Sequence, residues 1–207
     1  REGLLKRLTM YRLRAKVDFV AEDIQGVTVA WGDDAADGPK DSRFAKAGIV
    51  LTRTPGEHGS DPEALYDALR IANGIAVSGR DFALQDAFPH DVLMDLNGGV
   101  GFRKGCYIGQ EVVSRMHHRG TARRRGATVE GSAELPASGT ELTVGSKPIG
   151  TLGSTAGKMG LAIVRIDRAG EAIAEKVSIK ADDVDVTVSL PAWSGLSFPA
   201  GTDEASA

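Results

Sequence analysis

The first residues of the chain change from helical to alternating periodicity. Leu4, Leu8 and Tyr11 recur at the spacing of one apolar helical face, which predicts a helix over residues 3–11. From residue 11 to residue 19 apolar side chains alternate with mostly basic ones. That period predicts a strand with a charged outer face. Because no partner strand precedes it, we expect the source protein to contain further residues before Arg1.

The rest of the first half mixes short strands with helices. Apolar runs predict strands at 27–31 and 49–52, separated by a loop rich in Asp, Gly and Pro. Asp61 followed by Pro62 predicts a helix start, with Asp61 as the N-cap and proline at the first helical position. Apolar residues continue at helical spacing to Ala72, and Gly74 is expected to end the helix. An irregular stretch over 89–101 and a helix over 108–116 follow.

After about residue 125 the pattern becomes β-rich. Short apolar runs alternate with glycine turns, which predicts a small antiparallel barrel. The final residues, 201–207, are small and polar and are expected to be a disordered tail. The predicted strands of the barrel lie at 127–129, 141–144, 147–152, 161–166, 177–179 and 184–190.

Composition excludes several classes of protein. Of the 207 residues, 42% are hydrophobic and 26% are charged, which is ordinary for a globular protein, and a net charge of −3 argues against a wholly basic nucleic-acid binder. The single cysteine, Cys106, excludes an internal disulfide framework and a zinc site of the CxxC type. No apolar run approaches the ~20 residues that a membrane-spanning helix needs. We therefore expect a cytoplasmic protein with no membrane contact.

The segment from Arg103 to Arg115 carries the densest chemical information. Glycines flank Cys106 and Tyr107, which predicts a tight turn leading into a helix. A cysteine just before a helix N-terminus lies in positive potential, which favours the thiolate and predicts a reactive or metal-adjacent thiol. The alternative is a buried cysteine that acts only as a small hydrophobic residue.

Positive charge is concentrated around the same segment. Residues 103–125 contain seven basic side chains and a single acidic one, Glu111. Such a cluster predicts an anion-binding surface for phosphates or carboxylates, and the alternative is an ordinary solvated surface. His117 and His118 are adjacent, so their side chains diverge, and we predict no metal site here.

The run from Lys104 to Glu111, KGCYIGQE, followed by Arg115, resembles the motif of the YgfZ family. The similarity extends to residues 4–17, 74–76 and 147–152, and so covers most of the chain between Leu4 and about Leu190. It implies an α+β protein with the aminomethyltransferase-like fold of the glycine cleavage T protein. In that fold two intertwined α+β domains are followed by a small C-terminal antiparallel β-barrel.

The resemblance also implies a domain division and a set of site residues. Residues 1–55 would belong to the central domain, 56–122 to the folate-pocket domain and 123–200 to the barrel. Tetrahydrofolate is the implied cofactor and Cys106 the key thiol. Asp91 stands where the family has a glutamate, one carbon longer. The implied folate-binding residues are Asp91, Lys104, Tyr107, Gln110, Glu111 and Arg115.

Three functions follow from these residues. The first is a tetrahydrofolate-binding accessory protein that supports assembly or repair of iron–sulfur enzymes, including tRNA-modifying ones, with cluster-assembly proteins as partners. The second is a folate-dependent one-carbon transferase or demethylase, for which Asp91 is the candidate base. The third is an RNA-binding module over residues 115–125. Few aromatic residues are interleaved there, so we do not expect direct nucleic-acid binding.

Overall fold

The computed structural model describes residues 1–35, 37–59, 61–120 and 122–199. The predicted tail at 201–207 lies outside the described residues. Within the described residues, every helix is too short or too polar to cross a membrane.

Helix α1 (Glu2–Tyr11) forms as predicted, but the strand predicted at 11–19 does not. Leu13 has a φ of 46°, and the chain then runs without regular structure as far as Gly26. The Arg12 side chain donates hydrogen bonds to the Val17 carbonyl and to Asp18. Alternation gives a segment one apolar and one polar face, but a strand also needs a neighbouring strand for its backbone hydrogen bonds. No strand of the described residues pairs with this stretch. The strand prediction was therefore wrong.

Strands β1 (Val27–Trp31) and β2 (Leu51–Pro55) pair in a two-stranded antiparallel sheet, with Trp31 opposite Leu51. A short helix, α2 (Ser42–Lys46), precedes β2, and Asp41 caps it by accepting a hydrogen bond from the Arg43 amide at 3.0 Å. A small core beneath this sheet buries Phe44, Leu51 and Ile75.

Helix α3 (Glu63–Ala72) begins later than predicted. Pro62 occupies the cap position with an extended backbone, so Asp61 is not the N-cap. At the other end Gly74 has a φ of +71°, and a Cβ atom there would lie 2.3 Å from the Pro191 side chain. Both the backbone conformation and the close approach require glycine, which confirms the predicted helix end.

The second half is an antiparallel barrel, as the sequence predicts. The barrel is closed and has six strands in the order β3-β6-β5-β4-β7-β8. Its interior is the larger hydrophobic core, in which Val129, Leu142, Leu152 and Val164 are almost completely buried. The strands are β3 (Arg124–Gly131), β4 (Glu141–Val144), β5 (Lys147–Ala156), β6 (Met159–Arg165), β7 (Ile179–Ala181) and β8 (Val184–Ser189).

Helix α5 (Ile166–Ala174), between β6 and β7, was not predicted. Its Ala169 and Ala172 pack into the barrel core. The helix is amphipathic, but it is only nine residues long and lies among the predicted strands of the β-rich half, so its helical period was not recognised in the sequence.

Two arginines connect the barrel to the first half of the chain. Arg70 of α3 donates to Ser154 of β5 at 2.7 Å and to Asp81 at 2.7 Å. Arg125 of β3 donates to both carboxylate oxygens of Asp95 at 2.8 Å. The second link fixes the segment that leads to the candidate site against the barrel wall.

Candidate functional site around Cys106

The KGCYIGQE motif lies on an exposed loop followed by helix α4 (Gln110–Arg119). Gly109 precedes the helix with a φ of +84°, a left-handed conformation that side chains disfavour. The helix predicted at 108–116 is therefore present, but it starts and ends later. The motif residues are divided between a loop, which presents Cys106, and the first turn of α4.

Cys106 is exposed to solvent on this loop, four positions before the first residue of α4. The alternative of a buried, purely hydrophobic cysteine is thereby excluded. The thiol can be reached by a small molecule or by a partner protein. The thiolate character predicted from the sequence stays a prediction.

Lys104, Tyr107 and Gln110, which flank Cys106 in the sequence, are joined by two local contacts. The Lys104 ammonium lies 4.6 Å from the centre of the Tyr107 ring, in a cation–π contact. The Tyr107 amide donates a hydrogen bond to Gln110 Oε1 at 3.1 Å. Three of the predicted folate-binding residues are thus brought together, on the surface of the loop.

Glu111 and Arg115 lie one helical turn apart on α4 and are both exposed. Neither side chain forms a hydrogen bond or an ion pair within the part of the chain that the structure describes. Their charged groups are therefore free to meet a ligand from solution.

Asp91 occupies a different environment from the other predicted folate-binding residues. Its carboxylate is buried, accepts a hydrogen bond from the Phe88 amide at 3.1 Å and lies 3.8 Å from Arg124 Nε. Burial raises the pKa of Asp91, against the opposing effects of the Phe88 amide and of Arg124. Since Asp91 is closed off in this way, it does not offer an accessible carboxylate to a pterin.

The predicted folate-binding residues therefore do not line one pocket in the described chain. A cleft of about 540 Å³ lies elsewhere, between the β1-β2 sheet and the start of α3. Trp31, Arg53 and Tyr66 are among its lining residues. Lys104 and Arg115 suit the carboxylates of folate, but nothing in this arrangement fits the pterin ring.

Sequence reasoning missed a buried polar group next to this site. His90 and Asp95 are buried, with His90 Nε2 3.8 Å from Asp95 Oδ2, and Arg125 donates to the His90 carbonyl at 2.9 Å. Burial lowers the pKa of His90, and the nearby Asp95 carboxylate acts in the opposite direction. Arg125 is 30 residues or more from both partners, so no local pattern could have identified the group.

The basic cluster predicted at 103–125 divides into two parts. Arg124 and Arg125 are paired with aspartates, and Arg125 is buried. The other five side chains are exposed on the motif loop, on α4 or just after it, and we call the exposed surface of this segment the basic face: Arg103, Lys104, Arg115, Arg119 and Arg123. Within the described residues no group of three or more His, Cys, Asp or Glu side chains is placed to hold a metal ion.

Residues 123–196 match the family described as "CAF17, C-terminal beta-barrel domain". The barrel is similar to that C-terminal domain. The match starts one residue before β3 and ends after the last strand, so it covers the whole barrel. It supports the barrel predicted from the sequence, while the intertwined α+β domains stay a prediction.

Curated relatives extend the similarity beyond the barrel. A protein of Pyricularia oryzae named "Iron-sulfur cluster assembly factor IBA57 homolog, mitochondrial" is 34% identical over 60% of the chain and 36% of its own length. Proteins of the same name from Coccidioides immitis and Aspergillus fumigatus are 27% and 30% identical, over 92% and 80% of the chain. The chain spans 62% and 50% of those two relatives.

These relatives correct one prediction. All three are named mitochondrial, whereas the sequence alone led us to expect the cytoplasm. The cytoplasmic prediction was wrong on this comparison. It rested on the absence of recognisable targeting and membrane segments, and such an absence names no compartment.

Proposed function

We propose that this protein is an accessory factor in iron–sulfur cluster assembly, and that Cys106 is the thiol that contacts iron or sulfur. The observation that carries the proposal is the exposure of Cys106 on a loop of the basic face. A thiol held in solvent beside cations suits contact with anionic sulfur species. The curated relatives are named as iron–sulfur cluster assembly factors, which supports the same role.

A single cysteine cannot hold a cluster alone, so the remaining ligands come from a partner protein or a small thiol. The cluster is cargo in this proposal. The five cations of the basic face favour a partner with an acidic surface, because complementary charge guides the encounter. Recipients would include tRNA-modifying cluster enzymes, as the resemblance to the YgfZ family implies.

Cys106→Ser tests this proposal. We expect the variant to lose the activity of the dependent cluster enzyme, down to the level of cells that lack the protein. The exposed site predicts a change in unfolding free energy within about 0.5 kcal/mol, so lost activity would not reflect lost folding. The measurement is the activity of a [4Fe–4S] enzyme in cells that depend on this protein, with variant abundance checked in parallel. Full enzyme activity with Cys106→Ser would refute the proposal.

We extend the proposal to tetrahydrofolate. Its carboxylates are the groups that are complementary in charge to the basic face. Lys104 and Arg115 are exposed and carry no competing ion pair within the described residues. A charge-assisted hydrogen bond to a carboxylate contributes about 1.5–3 kcal/mol. We assign no chemical step to folate, because the buried Asp91 leaves the pterin without a partner.

Calorimetric titration of tetrahydrofolate checks this assignment. We expect saturable binding that weakens about tenfold or more in Arg115→Gln, which removes the charge and keeps a polar but shorter side chain. Asp91→Asn should bind as the parent chain does, because that side chain is buried away from the basic face. Loss of binding in Asp91→Asn, with the fold intact, would instead favour the pterin contact predicted from the sequence.

The one-carbon transferase gains no support from the structure. Asp91, its candidate base, is buried and hydrogen-bonded to the Phe88 amide. The intertwined aminomethyltransferase-like domains and the specific YgfZ assignment remain part of the proposal.

A further inference from the structure

The two ends of the Cys106 segment touch each other. The rings of Phe102, just before the motif, and His117, in the last turn of α4, stack with centroids 3.8 Å apart and planes 19° apart. The residues between them, 103–116, include Cys106 and every predicted folate-binding residue except Asp91. The contact therefore closes the motif into a loop with a fixed base.

This stack rests on a buried part of the protein. The Phe102 ring lies 6.3 Å from the ring of His90, tilted by 53°. His90 is buried, and Arg125 of the barrel holds its carbonyl. The ring nitrogens of His90 have no hydrogen-bond partner within the described residues, so the ring meets Phe102 as a packing surface. The base of the loop is in this way connected to the barrel wall.

The loop itself has little else to hold it. Residues 103–109 form no helix or strand, and Gly105 and Gly109 each have open space where a side chain would lie. The Lys104–Tyr107 contact is local and joins residues three positions apart. The position of Cys106 relative to the barrel therefore depends on the contacts at the base of the loop.

We propose that Phe102 and His117 are positioning residues, whose stacked rings form a clasp that sets the place of Cys106 and holds its loop against local opening. The clasp rests on the proposed function only for its relevance to cluster assembly, and its structural basis is independent of that function. Aromatic stacks contribute enough to shift a local opening equilibrium about two- to tenfold. Phe102 is 38% exposed and His117 is exposed, so substitutions at either position leave the two hydrophobic cores intact.

Thiol chemistry tests the clasp directly, because Cys106 is the only cysteine of the chain. The rate of its reaction with the disulfide reagent DTNB is measured in the full chain and in three variants. His117→Ala removes the stack, His117→Phe keeps an aromatic ring without imidazole, and His118→Ala is the matched control. His118 is equally exposed and meets His117 only edge-on, at 5.2 Å.

We expect His117→Ala to increase the rate of trypsin cleavage after Arg103 and Lys104 under native conditions about two- to tenfold, because cleavage needs local opening of the loop. His117→Phe should be cleaved at a rate close to that of the parent chain, and His118→Ala at an unchanged rate. The DTNB rate should change in the same variant only, and because Cys106 is already exposed, that change reports altered surroundings of the thiol. Rescue by phenylalanine separates positioning from a charge effect of the imidazole on the thiol. Equal rates in all four proteins, or equal increases in His117→Ala and His118→Ala, would overturn the clasp.

The reagent needs no cluster, folate or partner, so this result is independent of the proposed function. A confirmed clasp together with a fully active Cys106→Ser variant would refute the role in cluster assembly while the positioning role stands.

Discussion

Replacing Arg70 with methionine is expected to lower the free energy of unfolding by about 3–5 kcal/mol. The Arg70 side chain is 0% exposed, and its guanidinium bonds to three side chains, Asp67, Asp81 and Ser154, each at 2.7 Å. Asp81 is itself almost fully buried. Without Arg70 the Asp81 carboxylate would remain in a poorly hydrated site with no cation beside it.

The neutral partners of Asp81 limit this loss but do not remove it. Its carboxylate also accepts hydrogen bonds from the amides of Val77 at 2.6 Å and of Ser154 at 2.8 Å. These bonds keep the carboxylate ordered, whereas Arg70 is the cation that pairs with it directly among the described residues. Since Ser154 belongs to β5, the substitution also weakens the connection between α3 and the barrel.

Arg80→Met is the matched control for Arg70. Arg80 also pairs with Asp67, at 2.6 Å, but its side chain is 46% exposed. Exposed ion pairs contribute about 0–1 kcal/mol, so this variant should unfold nearly as the parent chain does. Urea denaturation of both variants measures the difference. Similar losses of unfolding free energy in the two variants would show that burial does not make the ion pairs of Arg70 more stabilising than those of Arg80.

Replacing Arg125 with methionine is expected to cost a comparable 3–5 kcal/mol or so. Both oxygens of Asp95 accept from Arg125 Nη1 at 2.8 Å, and the side chains of Asp95 and Arg125 are 4% and 10% exposed. The same nitrogen donates to the His90 carbonyl. Loss of Arg125 would leave a buried carboxylate facing His90 and would detach the 90–95 segment from β3.

Arg123→Met is the neighbouring control, because Arg123 is exposed and its side chain forms no hydrogen bond or ion pair within the described residues. A change within about 1 kcal/mol is expected there. A second check is the double variant Arg125→Met with Asp95→Leu, which removes both charges together and should recover part of the stability. If the double variant is no more stable than Arg125→Met, an unpaired Asp95 is not the cause of the loss.

Arg125 also connects stability with the candidate site. It holds the carbonyl of His90, whose ring lies beneath Phe102 at the base of the Cys106 loop. A weakened link at Arg125 should therefore also loosen the base of the Cys106 loop and change the reactivity of the thiol. Stability and thiol reactivity would change together in this variant, whereas His117→Ala should change reactivity alone.

The sequence by itself determined the elements whose cause is local. The barrel strands could be predicted because alternation and glycine turns recur at short intervals, and the matched region covers that barrel. The end of α3 could be predicted because Gly74 must adopt a positive φ. Cys106 could be singled out because it is the only thiol and stands in a specific motif. In each case the information lies within a few residues of the feature.

Only the tertiary structure decided the features that depend on distant partners. The alternation over residues 11–19 predicted a strand, but a strand also needs a neighbour, and none of the described strands pairs with it. The burial of Asp91, the Arg125–Asp95 pair and the Phe102–His117 stack are long-range or environmental properties that no local pattern records. Side-chain chemistry could be read from the sequence, whereas burial and pairing required the folded chain because they depend on which distant residues meet.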